Sequence, residues 1–514
     1  MRLYNKETFY IIAFLIAFCI SYSKVSAETT DVSPFDYGLL DARTGIERYN
    51  CLYKAHCAAL EAGVNVSYRG IDSLQIEIPR NAKSIPLTED NNFSGLVLIV
   101  RNDAKTHFVF EMVQESEVIS VKSDLLESGD FSKISCLNNR KVILHIEDKN
   151  PWVRKRQGYE YGATRKDILY LENGFAKNST VSSYNNGSSI PLVRYFYASN
   201  ITKQISNITF IRDDRNTRRA YLCNLINQSG LKLSHVRCET PPSSIYYDYL
   251  IRLENCANVY FEDIVINGTY STLNKSGYGI SMDNVYNVTF DHLIANANWG
   301  IFGNNNVNRV LLKNCDINRF DVHCYGKDIT FEKCKFRDLF NQFSSIYGTV
   351  IFKQCEFFDF TPVLFEPSYN AYTKFDLIFK KCIIHATRKK NYLISAGNLR
   401  GEKTGGRLEL SKQEYPDLYI DGLKIYMPDN TDVYYLYKFR KHLLRSTVDK
   451  VPDVKRMKGI KFIAKNGKKL KLVDPASWMV AMELGILTIA GSGVLFSSIA
   501  ASFFSKKDRN RNYS

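Results

Sequence analysis

The sequence feature that most constrains the fold is a short apolar pattern that recurs through the middle of the chain. Each copy begins with an aliphatic residue, followed at +2 by Phe or Leu, at +5 by Cys or an aliphatic residue, and at +7 by another apolar residue. Successive copies lie 19 to 29 residues apart. They begin at Ile208, Leu231, Val259, Val288, Val310, Ile329, Val350 and Leu377, the first two being weaker copies.

This spacing predicts a parallel β-helix. Apolar residues two apart share one face of a strand. The step from +2 to +5 therefore predicts a two-residue polar corner between two short strands that face the same core. One such unit for each 19 to 29 residues is typical of coils that stack on one another. A leucine-rich repeat would need its own Leu and Asn spacing, and a propeller blade would need about 40 residues.

The 12 cysteines would suggest disulfides in an exported protein. Four of them occupy the +5 position, where we instead expect an inward ladder of small apolar side chains. These four are Cys315, Cys334, Cys355 and Cys382. Cys51 and Cys57 either pair with each other or lie on one face of a helix. No Cys/His spacing suits zinc, so we predict no metal site.

An amphipathic helix precedes the repeats. It is predicted over residues 46–63, with Thr44 as N-cap and Gly63 as C-cap, and a strand follows at residues 75–79. The Asp36-Tyr37-Gly38 segment, this helix and this strand resemble the opening of the pectate-lyase superfamily. The resemblance covers about residues 33–400 and implies that the β-helix is right-handed, single-stranded and capped by the helix.

An apolar segment lies near each end of the chain. Residues 9–20 form an apolar run after two basic residues, and Val25-Ser26-Ala27 follows, which is typical of a cleavable secretory signal; an uncleaved anchor is the alternative. Residues 484–504 carry no charge and precede a basic tail, which predicts a C-terminal transmembrane helix with a cytoplasmic tail. A buried core helix is the alternative for this second segment. We therefore expect a body on the periplasmic or extracellular side of a membrane.

These features predict six segments and locate the net charge of +15. They are a signal peptide (1–27), an N-terminal cap region (28–80), the β-helix (81–425), a basic juxtamembrane segment (426–475), the transmembrane helix (476–504) and a basic tail (505–514). Residues 438–471 carry 13 basic and 2 acidic side chains, whereas residues 28–437 have a net charge of only +1. The basic segment suits anionic lipid headgroups or a surface glycan, and the export signal disfavours nucleic acid.

Polar residues on consecutive coils form the candidate catalytic site. Arg319, Asp321 and His323 alternate along one strand and should share a face, together with Tyr325. A carboxylate, an imidazole and a guanidinium would supply an acid/base pair and a cation for a uronate carboxylate. Polygalacturonase-like members of the superfamily carry carboxylates on neighbouring coils beside a histidine, and this similarity adds Asp283 to the catalytic set. The alternative is a row of solvated ion pairs.

Further residues are expected to bind substrate. Asn304 comes from the coil between Asp283 and Asp321, and aromatic and basic residues at Trp152, Arg154 and Trp299 could line a sugar groove. We expect these residues and Tyr325 to contact a polysaccharide. Packing of a loop over the helix is the alternative for the aromatic stretches.

The leading functional hypothesis is a membrane-tethered, carbohydrate-active protein that acts on an extracellular polysaccharide. A glycoside hydrolase is slightly favoured over a polysaccharide lyase or an epimerase. A calcium-dependent lyase needs several carboxylates that converge from different coils, and the sequence does not offer such a set. No cofactor is predicted, except calcium if the protein is a lyase. The alternative is a non-catalytic β-helix that serves as a glycan-binding protein, an adhesin or a structural envelope component.

Overall fold

The fold was analysed in a computed structural model of the chain. The structure describes residues 31–102, 107–153, 163–180, 184, 191–213, 220–239, 249–267, 278–295, 300–337, 340–343, 346–358, 361–365, 374–387, 391–396, 416–427, 433–439, 454–463 and 469–473. The predicted signal peptide, transmembrane helix and basic tail lie outside these residues. Among the described residues, no helix has the length and apolar character needed to span a bilayer.

Parallel strands stack coil upon coil along the chain, as the repeat predicts. The longest stack joins twelve strands, each in parallel register with the next. They are Ser73–Ile78, Asp90–Asn102, Lys203–Arg212, Ser229–Glu239, Ile251–Asn267, Ile280–Ala295, Phe302–Lys313, Asp321–Glu332, Ile346–Lys353, Lys374–His385, Asp417–Tyr426 and Val454–Ile463.

Shorter strands complete the coils on the other faces, and all of them also pair in parallel. They are Ile85–Pro86, His107–Val113, Ala220–Ile226, Asp316–Ile317, Lys335–Arg337, Asn341–Phe343, Glu356–Phe358, Val363–Phe365, Asn391–Ala396, Val433–Phe439 and Lys469–Val473. The parallel β-helix is therefore confirmed, whereas its right hand stays a prediction.

The register follows the sequence repeat from Leu231 onward. Each later copy begins at the register partner of the one before, from Leu231 and Val259 to Leu377. The copy assigned to Ile208 was wrong by five residues, because Lys203 pairs with Leu231, and Ile208 pairs with Val236 at the +5 position. Both halves of a coil carry apolar residues at every second position. The second half of this coil was therefore mistaken for its first half.

The predicted corners consist of single residues with left-handed backbone. The +4 residue has φ between 51° and 59° in every copy, and these residues are Asn207, His235, Asp263, His292, Asn314, Lys333, Gln354 and Lys381. One left-handed residue turns the chain between two strands, and it leaves the side chains on both sides pointing into one core.

Ladders of like side chains fill that core. Phe352 stacks on Phe331 and Phe379 with ring centroids 4.8 and 5.2 Å apart. The four +5 cysteines are buried and free, as predicted, and the thiol of Cys382 donates to the carbonyl of Phe352 on the preceding coil. Cys51 and Cys57 are free as well, so the helical alternative holds for them. Burial raises the pKa of the Cys256 thiol to about 12.

The capping helix runs over Gly45–Ala62 and follows a short 3-10 helix at Pro34–Tyr37. The Thr44 side chain accepts from the backbone amide of Glu47, and the Glu47 carboxylate accepts from the amide of Thr44. This reciprocal cap satisfies donors that a helix start leaves unpaired. Gly45 packs against the first coil, where a Cβ would lie 2.8 Å from Glu77.

The β-helix extends past the predicted boundary at residue 425. Strands Val433–Phe439, Val454–Ile463 and Lys469–Val473 pair in parallel with the coils before them. The described part of the basic segment 426–475 therefore belongs to the last coils and is not a separate linker. Its alternation of Lys with apolar residues, as in Lys469-Leu-Lys-Leu-Val473, is the pattern of a half-buried strand.

An antiparallel sheet is inserted between the early coils, which the repeat analysis did not predict. Its strands are Glu117–Ile119, Lys141–Val153, Ala163–Glu172, Phe175–Ala176 and Leu192–Tyr197, and a short helix covers Ser123–Ser128. The sheet has its own apolar core. A second cluster, which includes Ile143, Phe196, Ala257 and Tyr286, packs its other face against the β-helix.

Candidate functional site

The candidate site lies on strands from three successive coils. On the strand Ile280–Ala295, Ser281 is in register with Gly303. Asn304 follows Gly303 and pairs with Val322, so Asp321 lies beside Gly303 on the next coil. Asp321 in turn pairs with Gln342 on the coil after that. A bulge interrupts the register after this point, because Asn305 pairs with Cys324. His323 is the extra residue of this bulge, and bulges of this kind re-aim side chains.

Arg319 and Asp321 form a buried ion pair. Nε of Arg319 donates to Oδ1 of Asp321 at 2.9 Å, and Nη2 donates to Oδ2. The side chains are only 3% and 0% exposed, so the alternative of a solvated ion-pair row is wrong for them. The guanidinium also lies 4.9 Å from the ring centre of Phe340 and donates to Gln342 at 3.4 Å. Both side chains are therefore enclosed by the protein, where no large ligand can reach them directly.

A tyrosine that the sequence analysis missed connects this pair to His323. Oη of Tyr278 donates to Oδ2 of Asp321 at 3.2 Å and lies 3.2 Å from Nε2 of His323. Tyr278 and His323 are half-buried, unlike Asp321. Two glycines make room for the phenol, because a Cβ on Gly300 or Gly303 would lie 3.3 Å from its ring. Tyr278, His323, Asp321 and Arg319 thus form one connected chain of polar contacts.

Asp283 belongs to a different cluster. Nζ of Lys166, from the inserted sheet, donates to Oδ2 of Asp283 at 2.8 Å, and Asn306 donates to Oδ1 at 3.3 Å. Asp283 is also in register with Glu254 on the preceding coil. This carboxylate fastens the inserted sheet to the β-helix, and it lies one outward row away from Asp321 on the same face.

Asn304, a predicted binding residue, is placed differently from expectation. Asn304 pairs with Met282 and Val322 in an inward row and is fully buried, because the register partner of Asp283 is Asn305. A shift of one residue moves a side chain to the opposite face of a strand. The two polar atoms of the Asn304 side chain have no hydrogen-bond partner among the described residues.

Tyr325 does not continue the face of Asp321. It lies at a corner with φ 51° and is 4% exposed, where Asn284 and Asn306 stand on earlier coils with φ 60° and 51°. The bulge at His323 breaks the alternation that the prediction assumed. Trp299 and Arg154 lie outside the described residues. Trp152 lies on the strand Lys141–Val153 of the inserted sheet and not on a coil.

Asp291 and His292 occupy the corner positions +3 and +4 of the coil that begins at Val288. His292 has φ 59°, and Asp291 accepts from Lys313 at 2.7 Å. Among the described residues, no group of three His, Cys, Asp or Glu side chains could hold a metal ion. The carboxylates of Asp283 and Asp321 are each paired with a cationic side chain of the protein, so these residues do not fit a calcium site.

No protein-family model and no curated protein matches the chain. Among solved structures, it is similar to the tailspike gp61 of Pseudomonas phage phi297, with 11% identity, 86% of this chain and 82% of that chain covered, and a TM-score of 0.47. The Gp54 tailspike of Acinetobacter baumannii bacteriophage AP22, solved with capsular saccharide, has 9% identity, 86% and 77% coverage and a TM-score of 0.43.

The tailspike gp49 of Pseudomonas phage LKA1 has 11% identity, 79% and 81% coverage and a TM-score of 0.40. At such identities the likeness concerns the fold alone. The parallel β-helix, which is the fold of the pectate-lyase-like superfamily, is established by the strand pairings of this chain, and no subfamily is identified.

Proposed function

We propose that the chain is a carbohydrate-active β-helix protein that transfers a proton at an acidic polysaccharide, with Tyr278 and His323 as the catalytic pair. The observation that carries this proposal is the 3.2 Å contact between Oη of Tyr278 and Nε2 of His323, beside the buried Arg319–Asp321 pair. Both groups of the pair are half-buried, so a bound sugar can reach them.

The pair suits chemistry at the carbon next to a carboxyl group. One group removes the proton from that carbon, and the electron pair passes into the carboxyl group as an enolate. The enolate can then collapse in two ways. In one, it expels the glycosidic oxygen, which takes a proton from the other group. In the other, the carbon takes a proton from that other group on its opposite face. The first outcome is a lyase reaction and the second is an epimerase reaction. Imidazole and phenol are suitable general acids and bases for both.

Asp321 and Arg319 act as positioning residues in this proposal. The carboxylate of Asp321 accepts a hydrogen bond from the phenol of Tyr278, which orients the phenol oxygen toward His323. Arg319 in turn balances the buried charge of Asp321 with two hydrogen bonds. A charged donor and acceptor in a dry setting hold their geometry more firmly than neutral partners do.

A hydrolase receives less support from the geometry, although the sequence slightly favoured one. Glycoside hydrolysis usually takes two carboxyl groups that flank the scissile bond. Asp321 is fully buried and paired with Arg319, whereas Asp283 is bound to Lys166 at 2.8 Å. Neither carboxylate is available without breaking an ion pair of the protein.

The proposal is tested by incubating the full-length chain with a panel of acidic and neutral polysaccharides. Unsaturated sugars are followed by ultraviolet absorbance, and epimerised sugars by proton NMR. We expect turnover of an acidic polymer, and a loss of roughly 10²- to 10⁴-fold in kcat/KM for Tyr278→Phe and for His323→Ala.

Matched controls come from another part of the β-helix. Tyr260→Phe removes a phenol that donates to Asp291 at 3.3 Å, and His292→Ala removes an exposed imidazole beside the same carboxylate. Both control variants should keep full activity. Turnover that survives in folded Tyr278→Phe and His323→Ala would refute the assigned pair. Binding of a polysaccharide without any product would instead identify a non-catalytic glycan-binding protein.

We also propose that the protein is exported and tethered by its C-terminal apolar segment. The support is the sequence of residues 1–27 and 484–504, which lie outside the described residues. Protease added to spheroplasts, whose cytoplasmic membrane is intact, should degrade the β-helix and leave a short C-terminal fragment. Protection of the β-helix in spheroplasts, with degradation after lysis, would contradict export.

A further inference from the structure

A row of exposed lysines runs along one edge of the β-helix, parallel to its axis. These lysines occupy the corner position +4 and the flanking outward positions +3 and +6 of the coils from Ile329 to Val454. We call them the lysine stripe, which consists of Lys333, Lys335, Lys380, Lys381, Lys424 and Lys461. With coils about 4.8 Å apart, four coil steps extend the stripe over about 19 Å.

No member of the stripe has an ion-pair partner among the residues that the structure describes. The acidic side chains on the same edge contact residues outside the stripe. Glu332 binds Lys353 at 3.0 Å, Glu356 binds His385 at 2.7 Å, and Asp421 contacts Lys458 at 3.2 Å. None of these acidic side chains binds a stripe lysine, although Glu356 and Asp421 are register neighbours of Lys335 and Lys380, so the edge keeps an excess of positive charge.

Other lysines on the β-helix do pair with an acidic side chain, as Lys353 does with Glu332. On the preceding coils, Asp291 is bound by Lys313 at 2.7 Å, and Lys232 contacts Glu262 at 2.7 Å. In the stripe, by contrast, Lys424 and Lys461 are direct register partners on adjacent coils. Like charges placed directly opposite each other destabilise a sheet. Such a row is a feature that folding does not require and that an anionic ligand would relieve.

We propose that the lysine stripe is a binding site for a linear acidic polysaccharide that lies along the helix axis. The stripe is a narrow edge that carries its charges in a line, so it matches a chain with repeated anionic groups better than it matches a flat lipid surface.

The rings beside the stripe argue against a single-stranded nucleic acid. Phe358, His385 and Tyr426 stack face to face, with centroids 4.7 and 4.9 Å apart, so they cover the faces on which bases would stack. This site goes beyond the proposed reaction, because it is a second surface that extends to later coils, and its test measures binding and not turnover.

The test measures binding of the full-length chain to polygalacturonate, which carries one carboxylate per sugar, and to neutral dextran of similar length. All proteins carry Tyr278→Phe, so that turnover cannot consume the probe. We expect binding to polygalacturonate alone, and affinity that falls as salt rises. The triple variant Lys381→Gln, Lys424→Gln, Lys461→Gln should bind roughly tenfold more weakly and depend less on salt.

The matched control removes the same charge elsewhere. Lys54 on the capping helix, Lys83 on the first coil and Lys133 beside the inserted sheet are exposed, and their change to Gln should leave binding unaltered. Equal weakening in both triple variants would show that only net charge matters, and this would overturn the site. Equal binding to dextran would overturn it as well. Tighter, stripe-dependent binding to anionic lipid vesicles or to single-stranded DNA would assign the surface to that other ligand class.

Discussion

Separating Arg319 from Asp321 should destabilise the fold strongly, and removing both should not. The two side chains are 3% and 0% exposed, so water cannot replace a lost partner. Arg319→Leu leaves a buried carboxylate, and Asp321→Leu leaves a buried guanidinium. Each should cost about 3–5 kcal/mol in the free energy of unfolding. The second change is expected near the lower limit, because Gln342 and the ring of Phe340 stay beside the guanidinium.

The double variant Arg319→Leu with Asp321→Leu should recover most of that loss, because a buried ion pair is about as stable as an apolar pair of similar volume. We expect a coupling energy of at least about 2 kcal/mol between the two positions. Urea unfolding of the four proteins measures it, from midpoints and a shared slope. Tyr278→Phe serves as a control for the lost phenol contact. Additive effects of the two substitutions, or single losses below about 1 kcal/mol, would refute a buried and mutually dependent pair.

Two further predictions concern the core and the response to acid. Phe352→Ala should cost about 3–5 kcal/mol in the free energy of unfolding, because Phe352 is fully buried between two stacked rings. Ile351→Ala on the outward side should cost far less. Urea midpoints that shift equally in both variants would contradict the ladder. Burial holds the pKa of His56 and of His145 at about 4, below the unfolded value of 6.5. Each imidazole should therefore contribute stability that is present above pH 6.5 and lost as the pH falls toward 4, by roughly 3 kcal/mol each, so that His145→Gln unfolds with a flatter pH dependence than the wild type.

The sequence predicted the coils well because each coil repeats the same physical demand. An inward residue must be apolar at +2 and +5, and the residue at +4 must adopt left-handed backbone, so Asn, His and Lys recur there beside buried Phe and Cys. The inserted sheet escaped prediction because it occurs once and has no repeat to compare with. The last coils were assigned to a basic juxtamembrane segment because Lys and Arg dominate the composition of residues 438–471.

The candidate site was predicted only in part. Alternation along a strand predicted that Arg319, Asp321 and His323 share a face. The structure pairs Arg319 with Asp321, whereas His323 lies in a bulge and connects to them through Tyr278. Tyr278 was missed because it precedes its strand and reaches across two coils, a distance that strand periodicity does not report. Asn304 was assigned to the wrong face, because register between coils of unequal length cannot be counted from sequence to within one residue.

The most direct test of the central claim follows the proton at the carbon next to the carboxyl group. The full-length chain is incubated in D₂O with an acidic polysaccharide that it turns over, and the products are analysed by NMR and mass spectrometry. Proton abstraction by the Tyr278–His323 pair predicts products with either deuterium at that carbon or a double bond to it, and their loss in Tyr278→Phe and His323→Ala. Shortened chains with an unchanged hydrogen at that carbon and no double bond would show hydrolysis and contradict the account.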